Sequence, residues 1–489
     1  MSGHARRLAA TIALSLGLAG CAVGPNYKRP LVPVPPHFYG EAQAAADQAR
    51  SLADVPWWDV FDDPILKGLI EEALRNGFDA RLAAARVQEA RAQYGIARSQ
   101  FYPAIDYEGD WQRARADRIL NPAGKAQTRW TVDVGFSWEL DLWGRIRRLS
   151  EAARAQYLAT EEGRRGVMLS LVSDVAIAYM DLRELDEDLA IARSTTGAFQ
   201  DTYDLFRRRL EGGAASALET ARAEASLAQV AGEIPEIERA IVARENQINF
   251  LLGRNPQPIP RERPVMALPP DVPPGLPSTL LERRPDIRQA EQLLIAANAG
   301  VGVAKADFFP RLSLTGFLGQ VSPELGSLFD SQSKTWSIGS GLLGPLFQGG
   351  RIKRGYEAAQ ARWDEAPVSY EATTANALGE VSRALVDRAK LVETQRQRAR
   401  EVAAYQEAVR LANVRYNSGL SAYFEVLGSS AAALPGGDLA RSDAARPAVG
   451  RGRSLSRAGR GMASGGEGAP RRPDGRGSAM IIGDGPAWR

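Results

Sequence analysis

The sequence predicts a mainly α-helical protein with a β-barrel section, in which each chain contributes four transmembrane strands and further copies of the chain close the barrel. Three observations lead to this fold class: an internal duplication, two pairs of alternating strands, and a long helical stretch without proline. The chain has 489 residues, of which 44 % are apolar and 24 % are charged. It is therefore expected to fold around a sizeable core.

The duplication relates the two halves of the chain at a spacing of 206 or 207 residues. Leu74, Asp79 and Arg81 recur as Leu281, Asp286 and Arg288; Gly144-Arg145-Ile146 recurs as Gly350-Arg351-Ile352; Arg209, Gly213 and Glu219 recur as Arg415, Gly419 and Glu425. Three blocks in register indicate a true repeat. The expected organisation is a signal peptide (1–20), a lipidated N-terminal tether (21–56), a first repeat (57–252), a Pro-rich linker (253–277), a second repeat (278–427) and an atypical tail (428–489).

The N-terminus carries an export signal. Arg6 and Arg7 precede an apolar run that is too short to span a bilayer and that ends at Cys21, the only cysteine of the chain. A single thiol excludes an internal disulfide and a multi-cysteine metal cluster. The pattern resembles a bacterial lipoprotein signal, which implies acylation of Cys21 as the first mature residue; an ordinary secretory signal is the alternative. Ala22, in place of an aspartate, implies sorting to the outer membrane.

Each repeat is expected to run as helix, hairpin, long helix, turn and returning helix. Five prolines between residues 25 and 36 predict an extended tether. The first helix is expected to begin at the N-cap Asp63 and to continue to about Arg98. Between the repeats, the nine prolines of residues 253–277 exclude helix and central strand.

The two hairpins are predicted from side chains that alternate with a period of two. In the first hairpin (102–141), one face carries Ile105, Tyr107, Trp111, Trp130, Val132, Val134, Phe136 and Trp138, and the other carries Asp106, Glu108, Asp110, Asp133, Glu139 and Asp141. The second hairpin (309–346) repeats the apolar face less cleanly through Leu312, Leu314, Leu318, Trp336, Ile338 and Leu342. Strands of about ten residues with this pattern are typical of outer-membrane barrels.

The long helices follow the hairpins. From Leu149 to Leu210 there is no proline, and apolar residues recur every three or four positions along one stripe. A turn at Gly212-Gly213 leads to a returning helix from about Ser216 to Leu252, and the second repeat has a long helix over residues 351–414. The small residues around the stripe favour a coiled-coil-like bundle.

Four strands are too few to enclose a barrel, and open sheet edges are costly in lipid, so closure requires other copies. Two, three or four copies would give eight, twelve or sixteen strands. The acidic face would then line a water-filled lumen through Asp106, Glu108, Asp110, Asp133, Glu139 and Asp141. The alternative is a soluble sandwich with these acids on its wet face.

Several motifs together resemble the outer membrane factor lipoproteins of the NodT type, relatives of TolC. The residues that carry the resemblance are Cys21-Ala22-Val23-Gly24-Pro25-Asn26-Tyr27, Trp57-Trp58, Asp141-Leu142-Trp143-Gly144-Arg145, Gln348-Gly349-Gly350-Arg351 and the two Arg-x-x-x-Gly turns. The resemblance implies a homotrimer with a twelve-stranded barrel and a helical tunnel. It further implies a passive exit duct of a tripartite, RND-type efflux system, with a periplasmic adaptor and an inner-membrane transporter as partners, no cofactor and no catalysis.

The same resemblance implies the positions of functional residues. The adaptor is expected to dock at the periplasmic tips, through Arg209, Gly212, Gly213, Ser216, Arg415, Gly419, Leu420 and Ser421. Glu425 and Glu219 are expected at the tunnel entrance, where a ring of carboxylates repels itself and attracts cations. The alternative is that the glycines are helix caps and that Glu425 is a solvated residue.

Other features weigh against competing functions or depart from the family. Histidine occurs only at His4 and His37, so a histidine-dependent triad or zinc helix is excluded, and the export signal argues against nucleic-acid binding. A non-conducting structural lipoprotein remains the second hypothesis. Beyond Leu427 the family pattern stops and a Gly- and Arg-rich tail begins, which suggests a frameshifted copy. Pro367 is expected to kink the second long helix or to remove one of its hydrogen bonds.

Overall fold

We analysed the protein in a computed structural model, which describes residues 22–39, 63–115, 125–261, 277–421 and 425. Several predicted features lie outside the described residues: the signal peptide, the acylation site at Cys21, the Trp57-Trp58 pair, most of the Pro-rich linker and the tail beyond 425. Within the described ranges, no helix carries an apolar stretch long enough to cross a membrane.

The first half of the chain forms two short helices, a hairpin and a long helical hairpin. Its elements are α1 (Pro64–Asn76), α2 (Phe78–Ser99), β1 (Ala104–Ala114), β2 (Gln127–Leu140), α3 (Arg145–Glu211) and α4 (Ala217–Leu252). The second half repeats this order with α5 (Pro277–Arg283), α6 (Pro285–Ala306), β3 (Arg311–Ser322), β4 (Lys334–Leu343) and α7 (Arg351–Asn417). Two short 3-10 turns, Leu325–Ser327 and Ser331–Ser333, connect β3 to β4. The predicted fold class, helical with a small β section, is confirmed.

The stretch expected as one helix from Asp63 to Arg98 is two helices. Asp63 caps α1 as predicted, because its Oδ1 accepts hydrogen bonds from the backbone N–H groups of Ile65 and Leu66 at 2.9 and 3.1 Å. The helix breaks at Gly77, where a Cβ atom would lie 2.4 Å from the Ala73 carbonyl oxygen. Only glycine fits this close passage of the backbone, and the helical composition on both sides concealed it.

The four strands form one antiparallel sheet in the order β1-β2-β3-β4. Ile105 lies opposite Phe136, Phe136 opposite Gly316, and Leu312 opposite Leu342. This register places the apolar residues named from the alternation on one face in all four strands, whereas Phe317 and Val321 of β3 lie on the opposite face. Within the described residues, β1 and β4 each pair on one side only, so both edges of the sheet are open.

The helices pack around two apolar clusters. The first cluster joins α1, α3 and α4 through side chains that are almost fully buried: Leu66, Ile70, Val175, Tyr179, Leu182, Ile248 and Leu252. The second cluster joins α6 and α7 through Ile287, Leu294, Tyr370 and Ala377. The helices α3 and α7 have 67 residues each, which corresponds to about 100 Å of helix.

Two prolines lie inside long helices without ending them. Pro367 lies within α7, which continues from Arg351 to Asn417, and proline has no N–H to donate to the carbonyl of Trp363. Pro235 lies within α4 and leaves the carbonyl of Ala231 in the same situation.

Residues 22–39 form an extended N-terminal strap that lies along the bundle. Tyr27 and Val32 pack against the second cluster. At its far end, the carbonyl of Tyr39 accepts a hydrogen bond from Ser382 Oγ in α7 at 2.6 Å. The described part of the predicted tether is therefore extended, as its prolines indicate, and it is docked on the helices.

Candidate functional site: the exposed sheet and the helix tips

The apolar face of the sheet is exposed in the isolated chain. Tyr107 is 90 % exposed, Ile338 73 % and Trp336 72 %. Neighbouring strands match in shape on this face: the Phe136 ring lies over Gly316, where an added Cβ atom would approach the ring to 2.5 Å. A broad apolar surface without a cover marks a site of contact with lipid or protein.

The opposite face carries five of the six acids predicted to be luminal, four of them on the middle of the strands and Glu139 at the end of β2. Asp106, Glu108, Asp110 and Asp133 alternate with the apolar residues on β1 and β2. Glu108 lies directly opposite Asp133, and like charges at that position repel each other. This face therefore concentrates negative charge, which a water-filled space tolerates and a packed interior does not.

Glu139, also predicted to be luminal, forms an ion pair on the polar face. Its two carboxylate oxygens accept hydrogen bonds from Arg145 Nε and Nη2 at 2.8 and 2.9 Å, and both side chains are largely buried. The hydrogen bonds that Arg145 donates to Glu139 raise the pKa of the Arg145 guanidinium. The alternation placed Glu139 on the polar face correctly but could not show that an arginine at the start of α3 neutralises it.

Asp141, the last of the acids predicted to be luminal, lies beyond the end of β2. Its carboxylate accepts hydrogen bonds from the backbone N–H groups of Ile146 and Arg147, each at 2.9 Å, and from Arg147 Nε at 3.2 Å. These are contacts of a side chain that caps a helix start. Asp141 therefore fixes the direction in which α3 leaves the sheet.

Two indole groups hold the sheet against the loops that enter it. Trp143 Nε1 donates to the carbonyl of Pro310 at 2.8 Å, and Trp138 Nε1 donates to the carbonyl of Phe101 at 3.0 Å. The Trp143 ring also stacks on Phe309, with 4.7 Å between ring centroids. The segments that precede β1 and β3, Phe101-Tyr102-Pro103 and Phe308-Phe309-Pro310, thus stabilise the junction between the sheet and the helices.

The opposite end of the long helices forms two tips. Gly213 and Gly419 adopt positive φ angles of 72° and 73°. The carbonyls of Arg209 and Arg415 accept bonds from the N–H groups of Ala214 and Leu420, which closes each helix end. Of the other predicted tip residues, Gly212 ends α3, Leu420 is 71 % exposed and Ser421 is half-buried.

Ser216 and Glu219 form a capping box at the start of α4. The Ser216 hydroxyl accepts from the Glu219 N–H at 3.3 Å, and the Glu219 carboxylate accepts from the Ser216 N–H at 2.9 Å. These hydrogen bonds from the Ser216 backbone and side chain lower the pKa of Glu219. The predicted entrance acid Glu219 thus has a structural role at the tip.

One arginine connects the two tips, and a second forms an ion pair within its own tip. Arg209 of the first tip donates a hydrogen bond to the Tyr416 hydroxyl of the second, and its guanidinium carbon lies 5.4 Å from the centroid of the Tyr416 ring. The exposed carboxylate of Glu425 forms an ion pair with Arg415 at 3.4 Å. Tyr416 escaped sequence reasoning, because its counterpart in the first repeat is Leu210 and the duplication directs attention to shared residues.

Comparisons with known proteins agree with this architecture. The family model for outer membrane efflux proteins matches residues 69–254 and 276–434. The cation efflux system protein CusC of Escherichia coli O6:H1 is 34 % identical over 419 residues, which are 85 % of this chain and 90 % of CusC. The probable efflux pump outer membrane protein TtgC of Pseudomonas putida is 35 % identical over 414 residues, covering 82 % of this chain and 85 % of TtgC.

A solved structure shows the same fold. The open state of the outer membrane channel MtrE of Neisseria gonorrhoeae superimposes with a TM-score of 0.75 at 31 % sequence identity, covering 88 % of this chain and 96 % of MtrE. The open-edged sheet, the long helical hairpins and these similarities have one explanation: the chain belongs to the outer membrane efflux protein family and has the TolC-like channel fold.

Proposed function

We propose that three copies of this chain form a passive exit duct of a tripartite, RND-type efflux system, with a twelve-stranded barrel in the outer membrane and a helical tunnel in the periplasm. The observation that carries the proposal is the four-stranded sheet with an exposed apolar face and two open edges. Lipid satisfies the apolar face, and only strands from other copies satisfy the edges.

The internal duplication supports closure by identical copies. The two hairpins have equivalent registers, because Ile105 opposite Phe136 and Leu312 opposite Leu342 correspond at offsets of 207 and 206. The contact between β2 and β3 therefore serves as a template for the contact between β4 of one copy and β1 of the next. The counterparts of Phe136 and Gly316 in that contact are Leu342 and Gly109.

The proposal assigns the remaining parts by their position. Cys21 carries the diacylglyceryl group that anchors the mature chain in the outer membrane. The tips around Gly213 and Gly419 receive the periplasmic adaptor, which connects the duct to an inner-membrane transporter. Glu425 narrows and charges the entrance. Transport by the duct itself involves no catalysis, because the energy comes from the transporter.

Conductance in planar lipid bilayers tests the proposal. The purified full-length protein should give discrete conductance steps that favour cations, since the lumen carries Asp106, Glu108, Asp110 and Asp133. The double variant Glu108→Gln with Asp133→Asn should conduct with reduced cation selectivity. Absence of any conductance from correctly inserted protein would contradict the proposal and favour a structural spacer.

A deletion strain tests the role in efflux. Complementation with this sequence should restore resistance across a panel of drugs, and the Gly213→Pro variant, which cannot close the first tip, should not. A complemented strain that inserts the protein and remains as sensitive as the deletion strain would overturn the role in efflux.

A further inference from the structure

The first described residues of the chain lie in close contact with two glycines of the bundle. An added Cβ atom at Gly144 would lie 2.6 Å from the Ala22 Cα and 2.7 Å from its Cβ. Beside this contact, the Val23 N–H donates to the carbonyl of Trp143 at 2.9 Å. The backbone of the strap therefore touches the segment that joins β2 to α3.

Gly302 of α6 forms the other side of the contact. A Cβ atom at Gly302 would lie 3.0 Å from the Val23 carbonyl oxygen and 2.8 Å from Arg148 Cγ, and one at Gly24 would lie 2.5 Å from the Gly302 Cα. Gly24 has a φ of 106°, which favours glycine. We call Gly144 and Gly302 the glycine seat.

Polar contacts hold the strap at Tyr27 and on both sides of it. Arg148 Nη2 donates to Asn26 Oδ1 at 2.6 Å and Arg148 Nη1 donates to Glu151 at 2.7 Å, so this buried side chain cannot easily yield to a larger residue at position 302. Further along, the Tyr27 hydroxyl and Arg29 Nη2 donate to Glu291 at 3.1 and 2.8 Å.

We propose that the glycine seat is a positioning device that fixes the lipid-bearing N-terminus at the foot of the sheet, so that the lipid anchor and the apolar sheet face enter the membrane at one set height. This rests on the proposed acylation of Cys21. Cys21 directly precedes Ala22, and a trans peptide sets neighbouring Cα atoms about 3.8 Å apart. Gly144, which contacts Ala22, lies four residues after the end of β2 at Leu140. The glycine seat thus couples the position of the lipid anchor to the insertion of the sheet into the membrane.

Limited proteolysis of the purified full-length protein tests the seat with a matched pair of variants. Gly302→Ala should loosen the strap and expose the bond after Lys28, raising the rate of tryptic cleavage there by about tenfold, the equivalent of about 1.4 kcal/mol. Gly300→Ala is the control, because an added Cβ atom there meets nothing within 4 Å on the same helix. Equal cleavage rates for the two variants would overturn the seat.

The duplication supplies a second pair that keeps the test independent of helix packing. Gly144 and Gly350 are equivalent helix starts with φ angles of 79° and 86°, so alanine is equally strained at both. Only Gly144 contacts the strap, whereas Gly350 meets nothing within 4 Å. Gly144→Ala should release the strap and Gly350→Ala should not; equal release would overturn the proposal.

Labelling in cells separates the seat from the acylation on which it rests. With labelled palmitate, Gly302→Ala should incorporate as much label as Gly300→Ala but give several-fold less membrane-inserted channel. Normal insertion of Gly302→Ala with a loosened strap would overturn the coupling. Absence of label from the unmodified protein would contradict acylation of Cys21, whereas the proteolysis rates would still decide whether the seat exists.

Discussion

Single side chains determine where the chain changes direction. Asp63 and Asp141 lie before helix starts and accept backbone N–H groups, while Ser216 and Glu219 satisfy each other's N–H groups at the tip. Such caps contribute about 1 kcal/mol each, which is a large share of the stability of a turn that few other contacts hold. The capping residues of the tips therefore stabilise the turns, whether or not they also bind a partner.

The capping box should make the start of α4 sensitive to acid. The pKa of Glu219 is lowered in the folded tip, so its stabilisation is present above the ordinary value of 4.5 and is lost as the pH falls through the lowered value. Hydrogen-exchange protection of the first turn of α4, normalised for intrinsic rates, should decrease across that window. Glu219→Gln, which removes the titrating carboxylate, should abolish this pH dependence. Ser216→Ala should cost about 1 kcal/mol and keep part of the pH dependence, because the backbone N–H of residue 216 still donates to Glu219. Unchanged pH dependence in Glu219→Gln would contradict the assignment.

The hydrogen bonds of Asp141 at the start of α3 allow a test of whether this residue acts as a helix cap or as a luminal acid. Asp141→Ala removes the acceptor of the Ile146 and Arg147 N–H groups and should lower the free energy of unfolding by about 1 kcal/mol. Asp141→Asn keeps one carbonyl acceptor and should lose less. Conductance should keep its cation selectivity in both variants, because the carboxylate of Asp141 is already bonded to the start of α3; a clear loss of selectivity would support the luminal role.

At the level of elements, the strands and the long helices follow different rules. Alternation assigns each strand residue to a face, and the register brings the main apolar rows of the four strands together, although Phe317 and Val321 of β3 lie on the other face. The long helices pack through small residues and narrow apolar stripes. They continue through their internal prolines, Pro235 and Pro367. The sheet therefore restricts the sequence more than the helices do, since a shift of the strand pairing by one residue would turn the acids of the polar face towards lipid.

Adjacent residues of β4 test the assignment of the two faces. Ile338 lies on the apolar face and Ser337 on the opposite face. Ile338→Arg should cost about 2–4 kcal/mol of insertion free energy near the bilayer centre and sharply reduce the inserted fraction. Ser337→Arg should insert normally and reduce cation conductance. Equal insertion of the two variants, measured by membrane fractionation, would contradict the facing of the sheet.

The internal proline of α7 predicts a gain in stability. Pro367→Ala should restore the hydrogen bond to the Trp363 carbonyl and stabilise the helix by up to about 3 kcal/mol. Val368→Ala, at an exposed neighbouring position, is the control and should change little. Calorimetry should show a higher unfolding temperature for the first variant alone; no difference between the two would mean that the proline is accommodated without cost.

For the whole molecule, much of the fold could be predicted from the sequence because of two patterns, the internal duplication and the alternation of apolar and polar residues in the strands. The duplication fixed the order of elements, and a period of two identified strands even where β3 and β4 carry several glycines. Three features could not be predicted, since none of them leaves a trace in the periodicity of the sequence: the break at Gly77, the ion pair of Glu139 with Arg145 and the seat of the strap. Glu139 and Arg145 meet only because the chain turns between β2 and α3, and Gly77 and Gly302 are required by backbone atoms far away in the chain, at Leu251 and Val23. Gly302 gives no signal of its own in a helix rich in alanine and glycine.

The central claim is that identical copies complete the barrel edge to edge, and a disulfide between copies tests it most directly. The register template places Leu342 of one copy opposite Gly109 of the next, where antiparallel Cα atoms lie about 4.5–5.5 Å apart, within disulfide range. Gly109→Cys with Leu342→Cys should therefore give a covalent trimer on a non-reducing gel, and each single variant, which retains Cys21, should not.

The matched control moves the second cysteine along the same face. Trp336 lies six residues from Leu342, about 20 Å along the strand, so Gly109→Cys with Trp336→Cys should give no covalent trimer. A trimer from the first pair alone is the predicted result. Equal cross-linking of both pairs, a product limited to dimers, or a disulfide within one chain would contradict the account.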